Sequence, residues 1–252
     1  MAEIYDEIGV DYANLRQPDR RWAARIGEAL GTAQRVLNVG AGAGSYEPTI
    51  SGEGVCEVVA LEPSSVMIAQ RPADAAPVVA GVAQALPFAD SAFDAALAVL
   101  TAHHWPEPGA GFAELRRVAP RQVVVTWDRD VFADFWLVRD YLPEIAEREK
   151  DVATATEIVA SLEAPRVVAL PVPWDCVDGF LAAYWRRPRA YLDDRVRAAI
   201  SGFALLEPDV VDRGIAALGQ DLTDGAWQAR YAELAELDEF DAGYRLIVGG
   251  AT

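Results

Sequence analysis

The sequence predicts an α/β fold with a largely parallel sheet, and three observations support this prediction. Short runs rich in β-branched residues alternate with helix-period patterns through the first half of the chain. Single helical segments separate successive runs, which favours right-handed crossovers between parallel strands. A glycine-rich loop follows the first run directly, at the edge where open α/β sheets bind their ligands.

Seven runs predict strands because they are apolar, rich in β-branched residues and bounded by turn residues. Five of them lie in the first half of the chain and two in the second. They are RVLNVG (35–40), EVVALE (57–62), PVVAG (77–81), FDAALAVL (93–100), QVVVTW (122–127), RVVALPV (166–172) and YRLIVG (244–249).

Helix-period patterns lie between these runs. Trp22, Ile26 and Leu30 recur every four residues before the first strand, and Gly31 then supplies a C-terminal stop. An aromatic-rich helical pattern follows the fifth strand, where a plain α/β domain would continue to its next strand. We therefore divide the chain into N-terminal helices at 1–31, a core at 35–127, a helical insertion at 131–162, and the remaining sheet and helices at 166–252.

The composition fits one domain over 1–252. The chain has 252 residues, of which 52% are hydrophobic, and this is enough to bury a large core. Acidic residues number 39 and basic residues 22, and the net charge of −17 repels a phosphate backbone, so nucleic acid is not an expected partner. The absence of a signal-peptide pattern and of a run of 18 apolar residues predicts a cytoplasmic protein without a membrane partner.

The loop VLNVGAGAGSYEP is the most informative segment. Gly40, Gly42 and Gly44 have no side chains, so the backbone can adopt positive φ and approach a ligand closely. The third glycine comes one position too early for the dinucleotide fingerprint G-x-G-x-x-G, and Ser45 stands in its place, which disfavours NAD. Glu62 ends the second strand, where an acidic side chain can bind both ribose hydroxyls of an adenosine cofactor.

Four motifs in this order resemble the class I S-adenosylmethionine-dependent methyltransferases, in particular the small-molecule group called type 11. They are the GAGAG loop, ALEPS at the end of the second strand, ALPFAD before the fourth strand and HHW after it. The resemblance covers about 5–127 and makes 35–127 the cofactor-binding core. It implies a Rossmann-like seven-stranded sheet of order 3-2-1-4-5-7-6, with the last strand antiparallel and a helical cap or insertion. It also implies methyl transfer from S-adenosylmethionine to an O-, N- or C-nucleophile of a small organic acceptor.

The resemblance assigns cofactor roles to residues of the matching motifs. Two of these residues, Tyr12 and Arg16, lie in an N-terminal lid that closes over the cofactor, and one, Leu100, lies at the end of the fourth strand. Asn38 and Val82 replace the acidic residues usual in the family, so a charged contact to the adenine amino group is not expected. The assigned residues are Gly40, Ala41 and Gly42 for the methionine part, Glu62 for the ribose, Pro63, Ser64, Met67, Ala83 and Gln84 for the adenine, Tyr12 and Arg16 for the carboxylate, and Leu100 after the fourth strand.

His103 and His104 are the only histidines, and they follow the fourth strand at the carboxyl edge of the predicted sheet. In the family this segment borders the methyl group and the acceptor. Because the ordinary pKa of histidine is near 6.5, His104 is the first candidate for a catalytic base and His103 the second. The alternative is structural, with one ring packed under the following helix. No metal site is expected, since no cluster of cysteine and histidine ligands completes one.

The acceptor is expected to be a small apolar or aromatic molecule, because aromatic residues concentrate in the insertion and again near AAYWRRPRAYL. The protein is expected to be a monomer or homodimer. Two alternatives stay open at this point. The first is a protein of this fold that does not methylate, either a module that binds S-adenosylmethionine or a relative with another reaction. The second, which is less favoured, is an NAD-dependent oxidoreductase. The aromatic residues are Phe132, Phe135, Trp136, Tyr141, Tyr184, Trp185 and Tyr191.

Overall fold

The computed structural model describes residues 16–48, 57–150 and 152–250. Tyr12, predicted to bind the cofactor carboxylate, lies outside these residues, as does the predicted lid up to residue 15. Within the described residues, no helix is long and apolar enough to cross a bilayer. The division of the chain at 1–31, 35–127, 131–162 and 166–252 stays a prediction.

A seven-stranded sheet forms the centre of the molecule, with strand order β3-β2-β1-β4-β5-β9-β6. Strand β9 runs antiparallel to both of its neighbours, and the pairs formed by the first five strands are parallel. Because β7 and β8 belong to a separate ribbon, β9 is the seventh strand of this sheet. The structure therefore confirms the predicted order 3-2-1-4-5-7-6 and the antiparallel last strand. The strands are β1 (Arg35–Val39), β2 (Glu57–Glu62), β3 (Val78–Ala80), β4 (Ala95–Val99), β5 (Arg121–Trp127), β6 (Arg166–Ala169) and β9 (Tyr244–Gly250).

A separate two-stranded ribbon pairs β7 (Val172–Pro173) with β8 (Glu239–Phe240). The run RVVALPV was predicted as one strand, but the structure divides it between β6 and β7. Pro171 interrupts the run because proline has no N–H group to donate to the ladder.

Helices cover both faces of the sheet, so consecutive strand residues enter opposite cores. In β1, Val36 belongs to one buried cluster and Leu37 to the other, and β5 alternates in the same way. The helices are α1 (Arg20–Leu30), α2 (Ser65–Ala69), α3 (Pro108–Val118), α4 (Arg129–Ala133), α5 (Trp136–Asp140), α6 (Glu144–Arg148), α7 (Ala155–Ala160), α8 (Asp194–Ala198), α9 (Ser201–Ala204), α10 (Pro208–Asp224) and α11 (Ala226–Arg230). In the described parts of the chain, 3₁₀ helices cover Ala102–His104, Leu181–Tyr184, Pro188–Leu192 and Ala232–Glu236.

Helix α1 starts and ends as its sequence predicts. The side chain of Asp19 accepts a hydrogen bond from the Arg21 backbone N–H and caps the helix, and Gly31 ends it with φ of 65°. The Trp22 ring stacks on Phe180 at 4.7 Å between ring centroids. Helix α1 is thereby attached to the second half of the chain.

Helices α4 to α6 follow β5 and form a cap together with the helices that precede β9, because their buried residues share one core cluster. Helix α7 lies on the other face of the sheet, where Ile158 packs in the same cluster as Phe112 of α3. The indole of Trp136 is buried, and its Nε1–H donates to the Trp185 carbonyl at 2.9 Å. The rings of Tyr141, Tyr191 and Trp227 pack edge-on against it. Most of the aromatic residues that predicted an acceptor pocket are therefore core of the cap.

The tryptophan of HHW fastens helix α3 to the sheet edge. The Trp105 ring lies 5.1 Å from the Phe112 ring, centroid to centroid, and against the Cα of Gly111. A Cβ atom at Gly111 would stand 2.5 Å from Cε3 of Trp105. Trp105 thus supplies a ring packed under the following helix, and the structural alternative for the histidines stays a prediction.

We expect Gly111→Ala to destabilise the protein by about 1–3 kcal/mol, the usual cost of overpacking a filled core. Gly109→Ala is the matched control in the same helix, since a Cβ there has nothing within 4 Å. Unfolding in urea measures both free energies. Equal stabilities for the two variants would contradict this account of the Trp105 contact.

Candidate functional site

The glycine loop begins where β1 ends. Gly40 and Gly42 have φ of 68° and 53°, and the Gly40 N–H donates to the Leu61 carbonyl at 2.8 Å. A Cβ atom at Gly40 would overlap Oγ1 of Thr101, the residue two positions after β4. Glycine is required here both by backbone angle and by close approach.

Glu62 fixes the shape of this loop. Its Oε2 accepts a hydrogen bond from the Gly42 N–H at 2.8 Å, and its Oε1 accepts one from the Ser64 N–H at 2.9 Å. A carboxylate has about four acceptor sites, so the same group suits a ribose contact as well. Glu62 was predicted as a ribose ligand, and the structure adds the role of a backbone anchor.

A buried ion pair next to the glycine loop holds the loop backbone in place. Arg71, just after α2, pairs with Glu47 and also donates to the Gly42 carbonyl at 3.2 Å. The two side chains are only 4% and 9% exposed. Nothing in the sequence marks this pair, because its members lie 24 positions apart.

A cavity of about 330 Å³ opens between the loop and the ends of β2 and β4. Every predicted cofactor-binding residue within the described parts of the chain lines it. Asn38 and Val82, the two departures from the family pattern, line it too. The lining includes Arg16, Gly40, Ala41, Gly42, Glu62, Pro63, Ser64, Met67, Ala83, Gln84 and Leu100, together with His104.

Two observations show that this cavity fits an adenosine-containing cofactor. Gly40 and Gly42 line the cavity with positive φ and without side chains, so a ligand can approach the loop backbone closely. The Nε2 atom of Gln84 is buried without a hydrogen-bond partner among the described residues. A buried amide donor without a partner is costly, and an acceptor atom of a bound ligand would satisfy it.

A second cavity of about 60 Å³ adjoins the first, and Arg16 and Leu100 line both. Leu100 has φ of 49°, an unfavourable backbone region for a residue with a large side chain. Its backbone N–H donates to the Val125 carbonyl at 2.9 Å, which holds it at this position. The remaining lining of the small cavity is His103, Trp127, Phe132, Glu149, Phe180, Leu181, Ile200, Ser201, Gly202 and Tyr244.

Arg16 is held in place by Asp178. The Nε–H group of Arg16 donates to Oδ1 of Asp178 at 2.6 Å, and the Tyr46 hydroxyl donates to Oδ2 at 2.9 Å. Arg16 was predicted to pair bidentately with the cofactor carboxylate. In the structure Asp178 is its bidentate partner, because a fully buried carboxylate requires a countercharge.

The two histidines face different cavities. They lie on the 3₁₀ helix after β4 with ring centroids 3.6 Å apart, and the His103 ring stands edge-on to Trp127 at 4.4 Å. His104 lines the large cavity and His103 the small one. Loss of hydration lowers the pKa of His104 to about 4 and that of His103 well below its usual value, so both rings are neutral at pH 7. The pKa near 6.5 that favoured a histidine base is not kept in the fold.

Comparison with known proteins matches this architecture to one family. A family model described as a methyltransferase domain, type 11, matches residues 37–125. A demethylmenaquinone methyltransferase of Renibacterium salmoninarum is 34% identical over 172 residues, which is 62% of this chain and 72% of the relative. The chain belongs to the S-adenosylmethionine-dependent methyltransferases. This confirms the predicted family, the cofactor, and methyl transfer to a small-molecule acceptor.

Solved structures agree with this assignment. A crystal structure described as a candidate methyltransferase from an antibiotic biosynthesis pathway of Anabaena variabilis has a TM-score of 0.86 and 32% identity, over 94% of this methyltransferase and 99% of that chain. A geranyl diphosphate C-methyltransferase of Streptomyces coelicolor, solved with S-adenosylhomocysteine, has a TM-score of 0.53 at 15% identity, over 92% of this chain and 79% of that one. The second likeness is one of fold alone.

We expect Glu62→Ala to weaken binding of S-adenosylmethionine at least about tenfold. A hydrogen bond to a charged group contributes about 1.5–3 kcal/mol, and about 1.4 kcal/mol corresponds to a factor of ten. Calorimetric titration with S-adenosylmethionine and S-adenosylhomocysteine measures the change. Glu57→Ala is the control, since Glu57 is exposed at the other end of β2 and pairs with Arg35. Unchanged affinity in Glu62→Ala would remove this residue from the cofactor site.

Proposed function

We propose that this methyltransferase binds its acceptor in the small cavity, and that the acceptor is an apolar or aromatic ring carrying a nucleophilic O–H, N–H or carbon. The observation that carries the proposal is that Arg16 and Leu100 line both cavities. A molecule in the small cavity would lie directly beside the donor site. Methyl transfer needs such an approach along the line of the breaking bond, and correct positioning supplies much of the rate.

The large cavity holds the methyl donor, whose thioether is the leaving group of the reaction. S-adenosylmethionine brings a methyl group on a sulfonium, which leaves as a neutral thioether. We assign its methionine part to the loop at Gly40 and Gly42, its ribose to Glu62, and its adenine to the wall that includes Gln84. No side chain has to bond to the methyl group, so the chain's work is to hold both partners and exclude water.

The size and lining of the small cavity support a single ring. A water molecule occupies about 10–15 Å³ of cavity volume, so a cavity of about 60 Å³ holds roughly four to six waters. This number is close to the number of heavy atoms in one six-membered ring. Trp127, Phe132, Phe180 and Tyr244 supply aromatic walls. The name of the Renibacterium relative gives a quinone as its acceptor, and a quinone is likewise a ring compound.

The histidines take different roles in this proposal. His104 was the first candidate base on sequence grounds, but it lines the donor cavity, and we place His103 beside the acceptor. A neutral imidazole can accept a hydrogen bond from the acceptor and orient its nucleophile. A cytoplasmic location and a monomeric or homodimeric state stay predictions.

We expect the purified protein to methylate single-ring phenols, anilines or hydroxylated apolar rings. The assay follows formation of S-adenosylhomocysteine and of the methylated product, with each candidate acceptor and with none. Turnover confined to aliphatic polar acceptors would contradict the proposed acceptor class. Binding of S-adenosylhomocysteine without turnover of any acceptor would leave the donor site intact and reject the acceptor proposal.

We expect Gly202→Leu to reduce acceptor turnover at least about tenfold while the affinity for S-adenosylhomocysteine stays unchanged. Gly202 lines the small cavity, and a Cβ there meets Ile145 at 3.8 Å, an ordinary contact distance. The Cβ therefore fits, and a longer side chain takes up room that the acceptor needs. Gly202→Ala is the matched control and should retain activity. Full activity in Gly202→Leu would show that the acceptor binds elsewhere.

A further inference from the structure

Glu149 is an acidic residue in the lining of the small cavity, and neither the fold nor the donor site requires a carboxylate at this position. It follows helix α6 directly and is half-buried. The Trp127 Nε1–H donates to its Oε2 at 2.8 Å. Its other oxygen, Oε1, accepts no hydrogen bond from the described part of the protein. One oxygen is thus fixed by the last residue of β5, and Glu149 lines the cavity where an acceptor would lie.

We propose that Glu149 is the catalytic residue that takes the proton from the acceptor's nucleophile, with Oε1 as the receiving atom and Trp127 holding Oε2. This inference rests on the acceptor site proposed above and deepens it. It implies an acceptor whose nucleophile carries an ionisable hydrogen, such as a phenol or another acidic hydroxyl.

The position of Glu149 is determined by tertiary contacts on several sides. The Arg129 guanidinium donates to the Glu149 carbonyl at 3.2 Å and fixes its backbone. His103 stands edge-on to Trp127, so the imidazole, the indole and the carboxylate follow one another along the cavity wall. Arg16 lines the same cavity, and its guanidinium is paired with Asp178.

Of the two candidate bases on this cavity, Glu149 is better matched to neutral pH. Burial raises the pKa of Glu149 to about 7, against the opposing effects of the Trp127 hydrogen bond and of Arg129. Burial lowers the pKa of His103 well below its usual value. A general base works best when its pKa lies near the working pH. His103 is therefore left to orient the nucleophile, and Glu149 receives the proton.

The step balances with an oxygen nucleophile as the example. The bond between the sulfonium sulfur and the methyl carbon breaks, and its electron pair goes to sulfur, which becomes a neutral thioether. The acceptor oxygen forms the new bond to carbon. Its proton passes to the Glu149 carboxylate, which becomes a neutral carboxylic acid and afterwards loses the proton to water.

The pH dependence follows from the direction of the shift. A carboxyl with a raised pKa is protonated below about pH 7 and ionised above it, so kcat/KM for the acceptor should rise through about pH 7 and then level off. The groups around Glu149 are His103 from the 3₁₀ helix, Arg16 before α1, Arg129 from α4 and Tyr244 from β9. The pKa of the Tyr244 hydroxyl is raised and the pKa of His103 is lowered well below its usual value, so neither group produces a limb near pH 7.

The test uses Glu149→Gln with a series of ring-substituted phenols of increasing acidity. Glutamine keeps the shape and can still accept the Trp127 hydrogen bond, but it cannot take a proton at neutral pH. We expect kcat to fall about 100-fold or more with weakly acidic phenols, and to approach the wild-type value with phenols that are already ionised at the assay pH. The limb near pH 7 should disappear, and the affinity for S-adenosylhomocysteine should not change.

The matched control is Glu147→Gln. Glu147 lies two positions earlier, is exposed and pairs with Lys150, so its variant should keep the wild-type rate and pH profile. Equal rates for Glu149→Gln and wild type on every phenol would overturn the assignment, as would a loss that is the same for ionised and un-ionised phenols. Absence of turnover by the wild type with every phenol is a different outcome, which rejects the proposed acceptor class and this role with it.

Discussion

The buried carboxylate of Asp178 is the interaction on which the arrangement of both cavities depends. It binds Arg16 from the N-terminal side and Tyr46 from the end of the glycine loop, and the Tyr46 hydroxyl in turn accepts a hydrogen bond from the Asp19 N–H at the start of α1. One group thus connects the segment before α1, the donor loop and the second half of the chain. A buried ion pair often adds little net stability, because its desolvation offsets its attraction. Its value here is positional, since Arg16 lines both cavities.

The carboxyl edge of the sheet supplies the second constraint. Leu100 follows the last residue of β4 and has a positive φ. The 3₁₀ helix that comes next directs two adjacent histidines toward two different cavities. Strand β5 ends in Trp127, which contacts His103 and donates to Glu149. Strained residues are tolerated where the surrounding structure fixes them, and they concentrate at functional sites. The unfavourable backbone of Leu100 is placed where donor and acceptor would meet.

The aromatic residues of the cap serve two functions: some pack its helices together and others line the small cavity. Trp136 and its neighbours form a closed cluster that packs the helices on one another, while Phe132 and Phe180 reach the small cavity. The arginines of WRRPR serve the same packing. Arg187 donates to the carbonyls of Cys176 and Ala183, and Arg189 to that of Leu222, so they satisfy backbone carbonyls that helix and turn ends leave unpaired.

The sequence by itself determined the fold and the donor site, because both are encoded by short segments. Strand periodicity, the glycines that need positive φ, and Glu62 at the end of β2 act within a few residues of one another or across directly paired strands. Only the tertiary structure assembled the small cavity that adjoins the donor cavity. Arg16, His103, Glu149 and Tyr244 come from separate parts of the chain and meet only through packing. Burial lowers the pKa of His103 and raises the pKa of Glu149 and of Tyr244, and no local sequence pattern records these shifts. Side chains that meet through packing, unlike backbone turns, leave no fixed spacing in the sequence.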